Sequence, residues 1–164
     1  MPETKQDKVR YVTLEESGIA PQQLVPLYME AYADMPEYGE PSPEDALRYL
    51  QWLKDHHTLF EIALDEKGKP IGFVVADANW FSRFGRGGHI HEWVVHPVYR
   101  HKGIGKKLFD DAVEHLRQFH DRIILWAGEH NDRARRFYEQ YGFHPEGRYK
   151  QWVRWVLELQ KPPK

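Results

Sequence analysis

Apolar residues recur along the chain with two periods, and the changes between them outline its elements. Arg10 to Leu14 reads as a short first strand, after which Leu24, Leu27, Tyr28 and Ala31 fall at i, i+3, i+4 and i+7, the spacing of a helix with one buried face. Pro26 lies inside that stretch and is expected to kink or delay the helix. Ser42-Pro43-Glu44-Asp45 opens a second helix with a capping serine, a first-turn proline and early acids, continued by Ala46, Leu47, Leu50 and Leu53. Between the two helices the composition predicts a flexible, acidic, aromatic loop. Leu59 to Leu64 and Pro70 to Ala78 read as strands joined by a glycine-containing hairpin turn, Asp65 to Lys69. A mobile loop is expected over Asn79 to Gly88, leading into a His-rich strand that Val94 and Val95 close and Pro97 stops. From Ile104 the helical period returns, in Leu108, Ala112 and Leu116 beside Phe109, Val113 and Phe119. Ile123 to Ala127 is a compact strand, and Asn131 or Asp132 caps a helix that carries Ala134, Phe137, Tyr138 and Tyr141 on one face until Gly142 ends it. Trp152 to Leu159 alternates, with Val153, Trp155, Leu157 and Leu159 on one side, and Pro162-Pro163 reads as a stop.

That order of elements predicts an α+β protein in which a mixed sheet is covered on both sides. At 164 residues and 41% hydrophobic content the chain suits one domain, taken as residues 1–164. A net charge of −2 argues against a general nucleic-acid or membrane-surface binder, so a small or local partner is expected. No run of 18 apolar residues is present and the N-terminal segment has no signal-peptide core; the expected location is cytoplasmic. With no cysteine, disulfides, thiolate metal sites and a cysteine nucleophile are excluded.

The chemistry concentrates between His89 and Gly105, where a strand runs through a turn directly into a helix. Gly103 and Gly105 let a ligand approach the backbone, the helix start offers unpaired N–H groups and a positive dipole end, and Arg100, His101, Lys102, Lys106 and Lys107 add cationic character. These are the properties of a pyrophosphate cradle, although glycines alone would also serve an ordinary turn. A Walker loop is excluded, because Gly105-Lys106-Lys107 lacks the upstream glycine and the hydroxyl. The dinucleotide fingerprint fails at Leu108, where a third small residue is required.

Val95-His96-Pro97-Val98-Tyr99-Arg100-His101-Lys102-Gly103-Ile104-Gly105 resembles the central motif of the GNAT acyltransferase superfamily, in which Val-x-Pro-x-x-Arg and [Arg/Gln]-x-x-Gly-x-[Gly/Ala] open the helix that holds coenzyme A. Asn131 to Phe143 is similar to a second motif of that family, Asn-x-x-Ala-x-x-x-Tyr-x-x-x-Gly-Phe. The resemblance runs from about Thr58 to the C-terminus. It implies a three-layer α/β/α fold around a central mixed, mostly antiparallel sheet, and an N-acetyltransferase that uses acetyl-CoA, no metal, and an amine acceptor. It further implies that Val94, Val95 and Arg100 to Lys106, Ile104 included, hold the coenzyme and that Asn131 bonds its pantetheine arm. Arg135 and Arg136 reach its phosphates or remain solvated.

Acetyl transfer to an amine needs a group to take a proton from the ammonium and another to reprotonate the leaving thiolate. Strict alternation on the strand Ile90 to Val95 would set His89, His91, Trp93 and Val95 on one face, and Ile90, Glu92 and Val94 on the other. Glu92 stands where many relatives carry a proton-accepting acid. His89 and His91 resemble the histidine pair of the arylalkylamine N-acetyltransferases. The base is therefore Glu92, His91 or solvent. Tyr138 matches the family's general acid, or is simply a core residue on its helix stripe. A zinc site is not expected, since His91 to His96 is one residue too long for the protease motif and lies in a strand. Tyr28, Tyr32, Tyr38 and Tyr49, interspersed with acids, suit an amine acceptor or a solvated helix and loop. A coenzyme-sensing module without transfer and a structural domain are the rival readings. A homodimer built on the final strand and Trp152 or Trp155 is left open by the sequence.

Overall fold

The computed structural model describes residues 8–82 and 85–160; the N-terminal segment and the Pro162-Pro163 stop lie outside them. The elements are β1 (Arg10–Thr13), α1 (Leu14–Ser17), α2 (Val25–Ala31), α3 (Pro43–Asp55), β2 (Leu59–Leu64), β3 (Pro70–Asp77), β4 (Phe81–Ser82), β5 (Gly85–Arg86), β6 (Gly88–Val95), α4 (Ile104–Arg117), β7 (Arg122–Gly128), α5 (Asp132–Tyr141), β8 (His144–Tyr149) and β9 (Trp152–Glu158). Seven strands form one sheet in the order β1-β2-β3-β6-β7-β9-β8. Every neighbouring pair is antiparallel except β6 and β7. Leu108, Phe109, Ala112, Val113 and Leu116 of α4 pack on one face of the sheet, and Leu27 and Tyr28 of α2 with Leu50 and Leu53 of α3 pack on the other. This is the expected three-layer arrangement.

Local chemistry accounts for the element starts. Pro26 sits at the N-terminus of α2, where its missing N–H breaks no hydrogen bond, and a 3₁₀ turn over Pro21–Leu24 carries Leu24 into the core ahead of it. Ser42 caps α3 by accepting from the Asp45 N–H at 3.1 Å. Gly103 adopts a left-handed conformation (φ 84°) at the cap of α4, and Gly142 (φ 113°) closes α5.

Four points of the structure differ from the sequence reading or go beyond it. Phe119 lies beyond the end of α4 and is 59% exposed. Strand β8 carries no alternating pattern: all its residues are exposed, and it forms only by adding to the edge of β9, where Pro145 is tolerated. Within the stretch expected to be a mobile loop, Phe81 pairs with Arg86 and Ser82 with Gly85. The fourth concerns β6, where Glu92 pairs with Val75 but Ile90 pairs with Ala76, leaving His91 as the extra residue of a β-bulge. The bulge breaks the alternation, so Trp93 and Val95 face α4 together with Ile90, while Glu92 joins the histidines on the side of α2 and α3.

Candidate active site

Strands β6 and β7 pair only at Gly88↔Ile123 and His89↔Ile124. Beyond that point they part, and a cavity of about 750 Å³ opens between them, lined by residues 90–95 on one side and Leu125 to Gly128 on the other. The start of α4 contributes Gly103, Gly105 and Lys106, and α5 contributes Arg133, Ala134, Phe137 and Tyr138.

Most of the residues expected from the sequence meet at this opening: His91, Glu92, Val94, Val95, Arg100, His101, Gly103, Gly105, Lys106, Asn131 and Tyr138 all line it. Ile104 does not; its side chain is 4% exposed and belongs to the core under α4. Lys102 lies outside the lining, with its ammonium 5.4 Å from the centroid of the Tyr99 ring. Arg135 is also outside, ion-paired along its own helix to Asp132 and Glu139 at 3.4 and 3.9 Å. Arg133 takes its place, because a residue two positions away on a helix points to nearly the opposite side. The guanidinium of Arg100 turns to the C-terminal end of α2, donating to the Ala31 carbonyl at 2.8 Å and reaching Asp34 at 3.4 Å. Arg133 meets the same Asp34 oxygen at 3.6 Å, so arginines from the two arms of the opening converge on one carboxylate. Asn131 caps α5 through its Oδ1, which accepts from the Ala134 N–H at 3.2 Å.

The two glycines of the turn differ. A Cβ at Gly103 would meet nothing within 4 Å, whereas one at Gly105 would lie 3.2 Å from both Trp93 and Val95. Gly105 therefore seats α4 on β6, and its carbonyl accepts from the Trp93 indole at 2.9 Å.

Glu92 is held by two tyrosines: Tyr32 donates to Oε1 at 2.5 Å and Tyr49 to Oε2 at 2.9 Å. Burial pushes this carboxyl above its usual range, and the two hydroxyls act in the opposite direction. His91 lies beside it, its Nε2 2.9 Å from Asp77 and its ring 5.0 Å from both Trp52 and Trp80. Burial lowers the His91 pKa, and Asp77 opposes that. His89 is driven to about 3 by burial, then by the neighbouring His91 and Arg154, so it stays neutral at physiological pH. A pair of titrating histidines is thereby reduced to one. Asp77, a strand end in the sequence, has no local signal that marks its role.

The loop expected to be flexible is clasped. The Tyr38 hydroxyl accepts from the His130 N–H at 2.8 Å, its ring lies 5.5 Å from Trp152, and Gln151 donates to the Glu37 carbonyl at 3.1 Å. A Cβ on Gly128 would fall 2.3 Å from the Tyr38 ring, so only glycine lets the loop settle there. Among the described residues no cluster of three metal-ligating side chains is present, and no helix is long and apolar enough to cross a membrane.

A sheet that parts beside a glycine-started helix, with an acid and a tyrosine in the gap, is the arrangement of an acyl-transfer enzyme, and residues 24–143 match the Acetyltransferase (GNAT) family. The chain belongs to that family and is an N-acetyltransferase. An uncharacterized N-acetyltransferase of Archaeoglobus fulgidus is 38% identical over 117 residues, covering 70% of this chain and 80% of that protein. The crystal structure of PH1933 from Pyrococcus horikoshii OT3 matches with a TM-score of 0.81 and 33% identity, over 94% of this chain and 100% of that one. A chain of the NatC complex, solved bound to Gag peptide and CoA, matches at TM-score 0.67 and 26% identity over 93% of this chain and 99% of its own.

Proposed function

We propose that the protein transfers the acetyl group of acetyl-CoA directly to a primary amine, of a small molecule or a peptide, within the opening between β6 and β7. The observation that carries this reading is the convergence in one cavity of the α4 start, Glu92 and Tyr138. The residues fit the coenzyme. A Cβ at Gly103 would meet nothing within 4 Å, so open space adjoins the start of α4, where unpaired N–H groups and the positive end of the helix dipole favour a pyrophosphate. Acetyl-CoA supplies the thioester. Glu92 takes a proton from the ammonium, directly or through water, so that the neutral amine attacks. Tyr138 then donates its proton to the departing sulfur. His91 is the second reading for the base, favoured by the Asp77 contact that fixes a proton on Nε2 and leaves Nδ1 as the acceptor.

Calorimetry with acetyl-CoA, followed by CoA release with a panel of amines, tests the reading. Tight binding and amine-dependent release are expected; binding without release by any amine would leave only a coenzyme-sensing module. The glycines give a sharper check. Gly103→Ala is expected to weaken acetyl-CoA binding with a modest stability loss of about 1–2 kcal/mol from the left-handed backbone. Gly105→Val is expected to lower the melting temperature, through an overpacking cost of about 1–3 kcal/mol against Trp93 and Val95. Equal melting of the parent and Gly105→Val would contradict the packing role of that glycine.

A further inference from the structure

The lining of the cavity is divided by charge. Its cationic residues Arg100, Lys106 and Arg133 come from the turn before α4, α4 itself and the start of α5, where the coenzyme's phosphates are expected. On the side of α2 and α3 the lining holds two carboxylates, Glu92 and Glu40, beside His91 and the tyrosines. Glu92 has Tyr32 and Tyr49 as donors. Among the described residues, no side chain donates to or pairs with the carboxylate of Glu40. The nearby Arg48 is turned to Asp45, at 2.5 Å. The backbone of Glu40 is nonetheless fixed, its N–H donating to the Tyr28 hydroxyl at 3.0 Å. The Tyr28 ring is 4.9 Å from Tyr32 and 5.8 Å from Tyr49, so one aromatic cluster links Glu40 to Glu92. Burial raises the Glu40 pKa, as expected of a carboxylate drawn into a partly enclosed wall.

We infer that Glu40 recognises a second positive charge on the acceptor, and that the substrates preferred at this site are short aliphatic diamines, with one nitrogen acetylated and the other bound as ammonium by Glu40. An unpaired carboxylate in a wall otherwise aromatic attracts a cation more strongly than an exposed one, because less water screens it. Tyr28, Tyr38 and Trp152 also line the cavity, so the methylene chain would lie against aromatic side chains. An acceptor ending in a carboxylate would instead bring a third negative charge to a region that holds two, and Arg100, which reaches α2, is already bonded to the Ala31 carbonyl and to Asp34. The inference rests on the amine-acetylation reading above.

The test compares three matched series of three to six carbons: α,ω-diamines, n-alkylamines and ω-amino acids. Each is measured by calorimetry on the enzyme saturated with CoA and, separately, by CoA release from acetyl-CoA. At least one diamine is expected to exceed its matched monoamine by about tenfold in affinity and in kcat/KM, the order expected of one charge-assisted hydrogen bond. The ω-amino acids should be poorest. Glu40→Gln should bring the diamine-to-monoamine ratio towards unity, and Glu40→Lys should shift preference to the ω-amino acids. Melting temperature and CoA affinity serve as folding controls. Should every diamine bind no better than its monoamine, or should the ratio survive in a folded Glu40→Gln variant, the inference is overturned while acetyl transfer stands. Glu40-dependent diamine binding without CoA release would instead refute the proposed activity and leave the recognition intact.

Discussion

Tyr138→Phe is expected to lower turnover by about 10²–10⁴-fold, the usual contribution of a general acid, while leaving coenzyme affinity close to that of the parent. The ring is 7% exposed and packs against Trp93, Phe109, Phe143 and Trp155, with centroids between 5.7 and 6.1 Å away, so phenylalanine fills the same space. What disappears is the hydroxyl at the cavity wall. Burial, reinforced by the charge of Glu92, raises its pKa, so the group holds its proton at neutral pH and has one to give when a thiolate forms beside it. Turnover measured where chemistry limits the rate checks this. An unchanged kcat would return Tyr138 to the role of a core residue, which its place on the apolar stripe of α5 also describes.

Glu92→Gln is expected to produce a loss of similar size in kcat/KM, about 10²–10⁴-fold, and to flatten the acidic limb of the pH profile. As the proposed base Glu92 acts as the carboxylate, and burial raises its pKa, so the parent's activity should climb with pH through a value above the ordinary 4.3 or so of glutamate. His91 is shifted the other way. A limb belonging to it would fall below the ordinary imidazole value near 6.5 and would vanish in His91→Gln instead. Acceptors of different pKa separate either limb from ionisation of the amine itself. Stability moves in the opposite sense to activity: a carboxyl whose pKa is raised on folding stabilises the fold least once pH passes through that value, because the buried form then carries charge. Glu92→Gln removes that charge and keeps one acceptor oxygen, for either Tyr32 or Tyr49, while the other tyrosine turns to accept from the amide NH2. It should therefore melt at or above the parent temperature at neutral pH, which separates lost chemistry from lost structure.

Features that depend only on near neighbours in the chain are legible in the sequence. The turn from Pro97 to Gly105 and the helix from Asn131 to Gly142 depend on residues within a few positions of one another, and both appear where the sequence places them. Strand β8 is not legible in this way, because an exposed edge strand buries no face and so needs no alternation. The bulge at His91 is equally hidden: register belongs to a pair of strands, and Val75 and Ala76 are needed to see that one residue of β6 is extra. That single insertion moves Glu92 beside His91, against the faces that alternation along β6 alone would assign. Asp77 and Glu40 acquire meaning only through partners far along the chain, respectively His91 and Tyr28. The aromatic, acidic composition of the loop after α2 suggests mobility. Its Tyr38 is in fact buried, and the hydroxyls of Tyr38 and of Tyr28 in α2 hold the loop through the His130 and Glu40 N–H groups.

Past His89 the two arms of the sheet share no backbone rungs and are coupled by side-chain packing, by the Asp34 bridge and by the Tyr38 loop. The gap in the sheet's backbone pairing therefore coincides with the opening proposed for acetyl transfer. A molecule that spans the gap and bonds to both arms does the work of the missing rungs, and it raises the unfolding free energy of the whole chain by RT ln(1 + [L]/Kd). Slowed amide exchange along residues 90–95 would register that bridging directly. With acetyl-CoA bound there as proposed, the cohesion of the enzyme, and with it the lifetime of the folded chain against proteolysis, would follow the concentration of its own donor.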